Sequence, residues 1–337
     1  MRIVRAGMPG FESLWREWHE DEVFYPLYQP KNVEYYKSYF AQSQFIDCSF
    51  VLEEQGRTQA VFCVAVEVGV RGRSLSGFGL PIYCVDKTSG TPWRRTAHRQ
   101  IREEFGRLIA EHSVSGARFR DLLPQGKISL LSHFFLGLGA RATLEFVRVI
   151  DLSGAESDLH AQITKSNRSQ VSWGMKNLEL RVLNKDTIQR ADIEQFRLLH
   201  IHASGKETRA PKTWDAQYDM ITEGEAFAIT ASLNEEVVSA ALFQCSQRWC
   251  YYGVSASKRE LFDRPISHAV LWRAVLYAKA LGCQSFEMGA IKYPGHLETS
   301  PTQKELGIST FKQGFGGQTQ VWMDIDWVDA DAVRDTQ

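Results

Sequence analysis

Hydrophobic periodicity between Leu178 and Trp327 resolves into an order of elements that few folds accommodate: strand, helix, helix, three strands, helix, strand, helix, strand. "LELRVL" (Leu178–Leu183) alternates as a strand does, and "DIEQFRLLHIHA" (Asp192–Ala203) places Phe196, Leu199 and Ala203 on one helical stripe. "TWDAQYDMI" (Thr213–Ile221) reads as a second helix, with Thr213 a candidate N-cap. Three strand-like runs follow, Ala226–Leu233, Val237–Cys245 and Trp249–Ala256, joined by turns short enough to imply an antiparallel meander. In "SHAVLWRAVLYAKALG" the positions Leu271, Val275, Ala278 and Leu281 recur at helical steps between a capping Ser267 and a terminating Gly282. The strand "SFEMG" (Ser285–Gly289) comes next. Alternation there puts Phe286 and Met288 on one face and Glu287 on the other. A short helix ending near Lys312 and the strand Val321–Trp327 complete the set.

The first half repeats this order without repeating residues. It runs from a strand at Arg2–Arg5 through helices in "FESLWREWH" and "NVEYYKSYF" to strands at Ser49–Glu54, Ala60–Val68 and Arg73–Gly77. A long helix over Trp93–His112, the strand Ala117–Leu123, the helix-like Ser129–Gly139 and the strand Ala142–Leu152 follow. The reading is therefore an α/β chain with mixed sheets, duplicated in tandem. Its domains are expected at 1–152 and 153–330, with a tail at 331–337, and 337 residues suit two cores better than one.

Composition narrows the function. Apolar residues are 44% and charged residues 23%, the profile of a globular protein, and no run reaches the roughly 18 apolar residues of a membrane span. The opening "MRIVRAGMPGFESLWREW" becomes charged too early for a signal peptide. With 39 basic against 40 acidic residues, nothing draws the whole molecule to nucleic acid or an anionic membrane, so any anion binding is local. The six cysteines show no metal-ligand spacing and read as reduced, mostly buried thiols, which fits a cytoplasmic location.

Four stretches carry a resemblance: "ITKSNRSQVSWGMKNLELRVL", "YYGVSAS", "HAVLWRAVLYAKALGCQSFEMGA" and "GISTFKQGFGG". In this order they resemble the basic helix, the strand end, the helix-plus-strand and the closing glycine-rich segment of the Fem-type aminoacyltransferases and their FemAB-like relatives. Those proteins are built from two GNAT acyltransferase folds. The resemblance covers roughly residues 150–325, and topology alone supports it in the first half. It implies a tandem GNAT-like fold with an acceptor-side first domain and a donor-binding, catalytic second domain. Glu287 stands where the family has aspartate, and Ala290 replaces its second glycine. The long helical hairpin that some Fem enzymes insert is missing from the second half. The glycine-rich loop by which GNAT enzymes hold the coenzyme A diphosphate is absent as well. "SKRELFDRPIS" offers Lys258 and Arg259 instead, followed by the helix start at Ser267.

Acyl transfer to an amine requires a positioned carbonyl, a stabilised oxyanion and a route for the ammonium proton. No Ser-His-Asp or Cys-His order is written in the chain, so direct transfer is expected. The resemblance puts the site between the strand ending near Tyr252–Ser255 and the strand Phe286–Gly289, where the two diverge. Glu287 is then a candidate base or a salt-bridged structural carboxylate; Tyr252 is a donor to the leaving group or a core aromatic. Lys312, in "FKQGFGG", matches the family's cleft lysine. Its flanking Phe311 and Phe315 fit either an anion-binding arm with a buried root or a helix C-terminus.

Arg209, in "GKETRAPKTW", resembles the loop arginine that grips a nucleotide-linked diphosphate, and also reads as a solvated loop charge. Ser255 and His268 are further substrate-side candidates, as are Tyr83 and Asp86 in "LSGFGLPIYCVD". Three functions follow as expectations. The first is acyl transfer from acyl-CoA to an amine of a cell-envelope precursor, a nucleotide-linked or lipid-linked amino sugar. The second is aminoacyl-tRNA-dependent transfer onto a peptidoglycan precursor, with Lys165, Arg168 and Lys176 as the tRNA patch. The third is a non-catalytic binding protein of the same fold.

Overall fold

The computed structural model describes residues 1–21, 25–70, 72–88, 90–123, 126–295 and 300–329; the expected tail at 331–337 lies outside them. The chain begins with β1 (Arg2–Arg5), α1 (Phe11–Asp21), a 3-10 turn at Pro26–Tyr28 and α2 (Pro30–Tyr39). Then come β2 (Gln44–Asp47), β3 (Phe50–Glu54), β4 (Arg57–Cys63), β5 (Ala65–Gly69), β6 (Gly72–Ser76) and β7 (Tyr83–Asp86). α3 (Arg94–Glu111), β8 (Gly116–Asp121), α4 (Leu130–Gly137) and β9 (Arg141–Asp151) follow. The remainder is α5 (Glu156–Gln162), α6 (Lys165–Asn177), β10 (Glu179–Leu183), α7 (Arg190–Ser204), α8 (Pro211–Thr222), β11 (Ala226–Leu233), β12 (Glu236–Cys245), β13 (Trp249–Ser257), a 3-10 turn at Arg259–Leu261, α9 (His268–Ala280), β14 (Ser285–Ile291), α10 (Gln303–Gln313) and β15 (Gln318–Val328).

These elements form two compact units. One comprises residues 1–22, 40–145 and 321–337, the other 23–39 and 146–320. A single cut at 152/153 does not describe this division. The chain leaves the first unit after Glu22, contributes Val23–Tyr39 to the second, and returns at Phe40; from Val321 the last strand belongs to the first unit again.

In the first unit β1, β3, β4 and β7 make one antiparallel sheet, while β8 pairs with β6 and with β15, and β5 with β6 and β2. The run Ala60–Val68, expected as one strand, breaks at Val64, and its halves join different sheets. The core gathers Phe50, Phe62, Phe105 and Phe135, all buried.

The second unit has three layers. β10, β11, β12, β13, β14 and the end of β9 form a sheet that is antiparallel except for the β13–β14 pair. Alternation on β11 sends Phe227 and Ile229 to one face, where α5, α6 and α9 pack, and Ala226 and Ala228 to the other, under α7 and α8. Two helix starts differ from their sequence signals. α8 begins at Pro211, whose fixed φ and missing N–H suit a first turn, so Thr213 lies buried inside the helix and donates to the Ala210 carbonyl (2.7 Å). Ser267 sits at the N-cap of α9, but its side chain makes no capping bond and meets Ser257 instead (2.9 Å).

Phe243 is the centre of the first face. It is fully buried, with ring centroids 5.0 Å from Phe227, 5.4 Å from Tyr252 and 5.8 Å from Phe286. Phe243→Ala should cost about 3–5 kcal/mol of stability, read as a lowered denaturation midpoint; a midpoint equal to wild type would show that this cluster does not hold the sheet.

Candidate active site

The parallel pairing of β13 with β14 lasts three residues: Trp249 opposite Ser285, Cys250 opposite Phe286 and Tyr251 opposite Glu287. Beyond Tyr251, β13 keeps its ladder with β12 as far as Ser257. Beyond Glu287, β14 keeps its ladder with β9 as far as Ile291. Both outer ladders slip a register at this point. Gly253 is the extra residue between the pairs Phe243–Tyr252 and Leu242–Val254, and Met288 the extra residue between Glu287 and Gly289. Bulges bend and twist a strand, and two of them side by side drive the strands apart. Both glycines suit this geometry. A Cβ at 253 would lie 2.6 Å from Gln244 Oε1, and Gly289 has φ +76°. The divergence that the family resemblance implied is therefore built into β13 and β14.

Lys312 reaches this opening. It occupies the last turn of α10, and its Nζ donates to the Ala290 carbonyl (2.8 Å) at the diverging end of β14. A Cβ at 289 would be 3.4 Å from the ammonium and 4.0 Å from the Tyr251 hydroxyl. Helix end and cleft arm are here one placement. The root is aromatic: Phe311 and Phe315 lie 5.3 Å apart, and the His268 ring meets both, at 4.9 and 6.0 Å. Burial pushes the His268 imidazole down to about 4, opposed in part by the Pro265 carbonyl, and its Nδ1 is buried without a hydrogen-bond partner. His268 thus serves as a wall behind Lys312.

Glu287 is 2% exposed, on the face opposite Phe286 and Met288. Its Oε2 accepts from the Tyr25 hydroxyl (2.7 Å) and from Trp249 Nε1 (3.0 Å). The Tyr25 ring stands 5.9 Å from Trp249 and 6.4 Å from Tyr251. Tyr25 and Tyr251 escaped the sequence reading. Tyr25 lies 262 residues from its carboxylate, and choosing between Tyr251 and Tyr252 requires the β13–β14 register. Tyr252 points the other way, its ring stacked on Phe243, and burial pushes its phenol pKa up against a bond to Ser255. Ser255 is exposed on β13 beyond the divergence.

Arg209 is half-buried just before α8. Its Nη1 donates to His200 Nε2 (2.5 Å), it bonds the Tyr35 hydroxyl, and its guanidinium lies over the Tyr39 ring at 5.6 Å. Among the described residues it has no carboxylate within ion-pair distance, and its Nε is buried without a partner. Burial and then Arg209 itself hold His200 down to about 4, so the imidazole stays neutral and accepts the bond.

The remaining candidates make other contacts. Lys258 pairs with Glu236, Arg259 is exposed in its 3-10 turn, and Ser267 belongs to a hydroxyl chain through Ser257 to Ser239 (2.9 and 2.8 Å). Tyr83 and Asp86 are in the first unit, on β7. Tyr83 is buried, and Asp86 accepts from the Thr88 amide (2.8 Å) and stands 3.9 Å from His98 Nε2. No described helix is long and apolar enough to cross a membrane.

The chain has the fold of Fem-type and tandem GNAT proteins. It is similar to the crystal structure of FemX, with a TM-score of 0.72 and 13% identity over 100% of this chain and 99% of that one. It is also similar to a tandem GNAT protein from the clavulanic acid biosynthesis pathway, with a TM-score of 0.54 and 12% identity over 97% and 98% of the two chains. A third likeness is to the C-terminal domain of a putative lysylphosphatidylglycerol synthetase from Agrobacterium fabrum, with a TM-score of 0.54 and 12% identity over 88% and 87%. No family model and no curated protein matches the sequence.

The His268 geometry makes a pH prediction. Its folded pKa lies below the ordinary 6.5, so the unfolded chain takes up the proton first. Its contribution to stability is complete above about 6.5 and is lost as pH falls towards about 4, up to about 3 kcal/mol. His268→Phe should flatten the melting temperature over that window relative to wild type. An unchanged pH profile would show that the imidazole is not desolvated.

Proposed function

We propose that this protein transfers an acyl group from an activated donor to an amine at the opening between β13 and β14, and that the acceptor carries phosphate. The observation that carries the reading is the loss of strand pairing immediately after Tyr251 and Glu287, with the Lys312 ammonium at the bared end of β14. An acyl group lying along the diverging strands would meet backbone N–H groups, and the ammonium would stabilise the oxyanion that forms as the amine attacks. The C–N bond forms as the amine attacks; the tetrahedral intermediate then collapses by breaking the bond to the donor sulfur or oxygen. The proton lost by the attacking nitrogen passes to the departing thiolate or alkoxide, with the Tyr251 hydroxyl beside Gly289 as the relay.

Arg209 supports the acceptor class. A half-buried guanidinium with no acid partner among the described residues, flanked by Tyr35 and Tyr39, fits a phosphate ester such as a nucleotide-linked or lipid-linked cell-envelope precursor. An acyl-CoA is the first donor to test. Aminoacyl-tRNA is the second, favoured by the full-length likeness to FemX and by a β13–α9 connection whose Lys258 is already paired.

Radiolabelled acyl-CoA and charged tRNA, each offered with a panel of amino-sugar nucleotides and peptidoglycan precursors, should yield a labelled amide from one donor. Lys312→Ala should lower kcat by about 10²-fold or more with little change in melting temperature. Arg209→Ala should raise KM for the phosphorylated acceptor by about tenfold or more. Wild-type turnover in Lys312→Ala, or transfer from neither donor, would defeat the reading.

A further inference from the structure

The segment Tyr25–Tyr39 has an unusual position in the chain. Its flanks belong to the first unit, yet it folds on the second. Its 3-10 turn packs on β12 and β13, and α2 packs on α8. At one end the Tyr25 hydroxyl donates to the buried Glu287 carboxylate. Six residues on, Glu225 accepts from the Lys31 amide (2.9 Å), the Asn32 amide (3.1 Å) and Asn32 Nδ2 (3.0 Å). A carboxylate from before β11 thereby caps the first turn of α2, where helical N–H groups have no partner of their own. Between the two acids, Asn32 Oδ1 accepts from Gln244 Nε2 (2.5 Å), and the Tyr36 hydroxyl bonds to Gln244. Gln244 is the side chain that lies against the Gly253 bulge. Further along, Tyr35 and Tyr39 meet Arg209.

We propose that Tyr25–Tyr39 is a strap clamped to the second unit by two carboxylates, the buried Glu287 and the half-buried Glu225, and that Glu287 is a positioning residue acting through Tyr25, not the base of the reaction. One oxygen of Glu287 already accepts two hydrogen bonds, from Tyr25 and Trp249, which commits the carboxylate to holding these rings. What the clamp delivers is the aromatic wall beside Arg209, and so the affinity for the acceptor. The role in acceptor binding rests on the acyl-transfer reading; the clamp itself does not.

Hydrogen–deuterium exchange of the full chain without substrate, read on peptides covering 25–39, tests the clamp. Glu287→Ala and Tyr25→Phe should each raise exchange there by about tenfold, with the double variant no faster than the faster single one. Glu287→Gln retains an acceptor oxygen and should restore wild-type exchange. In turnover, Glu287→Ala should raise KM for the phosphorylated acceptor by about tenfold while kcat falls less, and Glu287→Gln should recover both. Unchanged exchange in Glu287→Ala would overturn the clamp. A Glu287→Gln protein with an ordered strap but kcat reduced about 10³-fold would make Glu287 the base and overturn the positioning role. Transfer from neither donor would defeat the acyltransferase reading alone, because exchange is measured without it.

Discussion

The second unit depends on a hydrogen-bond ladder that stops. Parallel β13 and β14 hold together for three residue pairs and then separate, each kept in place by its outer neighbour. Unpaired backbone in the middle of a sheet is costly unless something occupies it. One part of this cost is met by Lys312, which donates to Ala290, and another by Ser309, whose hydroxyl accepts from the Lys292 amide (2.8 Å). The divergence is kept open by two bulges, and each bulge rests on a glycine that no other residue replaces without displacement or strain.

Around that opening the unit uses buried polar groups where apolar packing would be cheaper. Gln244, Asn32 and Glu287 are nearly inaccessible, and each has its hydrogen bonds made by residues distant in sequence. Such networks are unforgiving: a single lost partner leaves a desolvated group, so they select one arrangement of strap, strands and bulge. Glu225 shows the tension. Burial raises its pKa even though three N–H groups favour its charged form. The segment Tyr25–Tyr39, Arg209 and the divergent strands are in this way parts of one hydrogen-bonded system.

Much of this was legible in the residues. Strand-like and helical runs placed β10 to β14 and α9 within a residue or two, because the strands β11 and β12 are continuously apolar, buried on both faces, and bounded by short polar turns. The "FKQGFGG" stretch showed that Lys312 closes a helix between two aromatic rings, because that arrangement is local in sequence. Three things were not legible. Parallel register has no local signature, so the residues alone do not tell that Tyr251, and not Tyr252, lies opposite Glu287 and beside Gly289. Long-range pairs leave no trace in periodicity, which hid Tyr25 from Glu287 and Asn32 from Gln244. Propensity also cannot report which unit a helix joins: "NVEYYKSYF" reads as a helix of the first half, and packing assigns it to the second.

The central claim is that an acyl donor lies along the separated strands. A titration of [15N]glycine-labelled protein with a thioether analogue of the donor, which binds but cannot transfer, tests it at the level of single amides. Saturable shifts of the Gly253 and Gly289 resonances, with first-unit glycines such as Gly56 and Gly106 unmoved, are the result expected. Saturable binding that leaves Gly253 and Gly289 unperturbed would place the donor elsewhere and contradict the account.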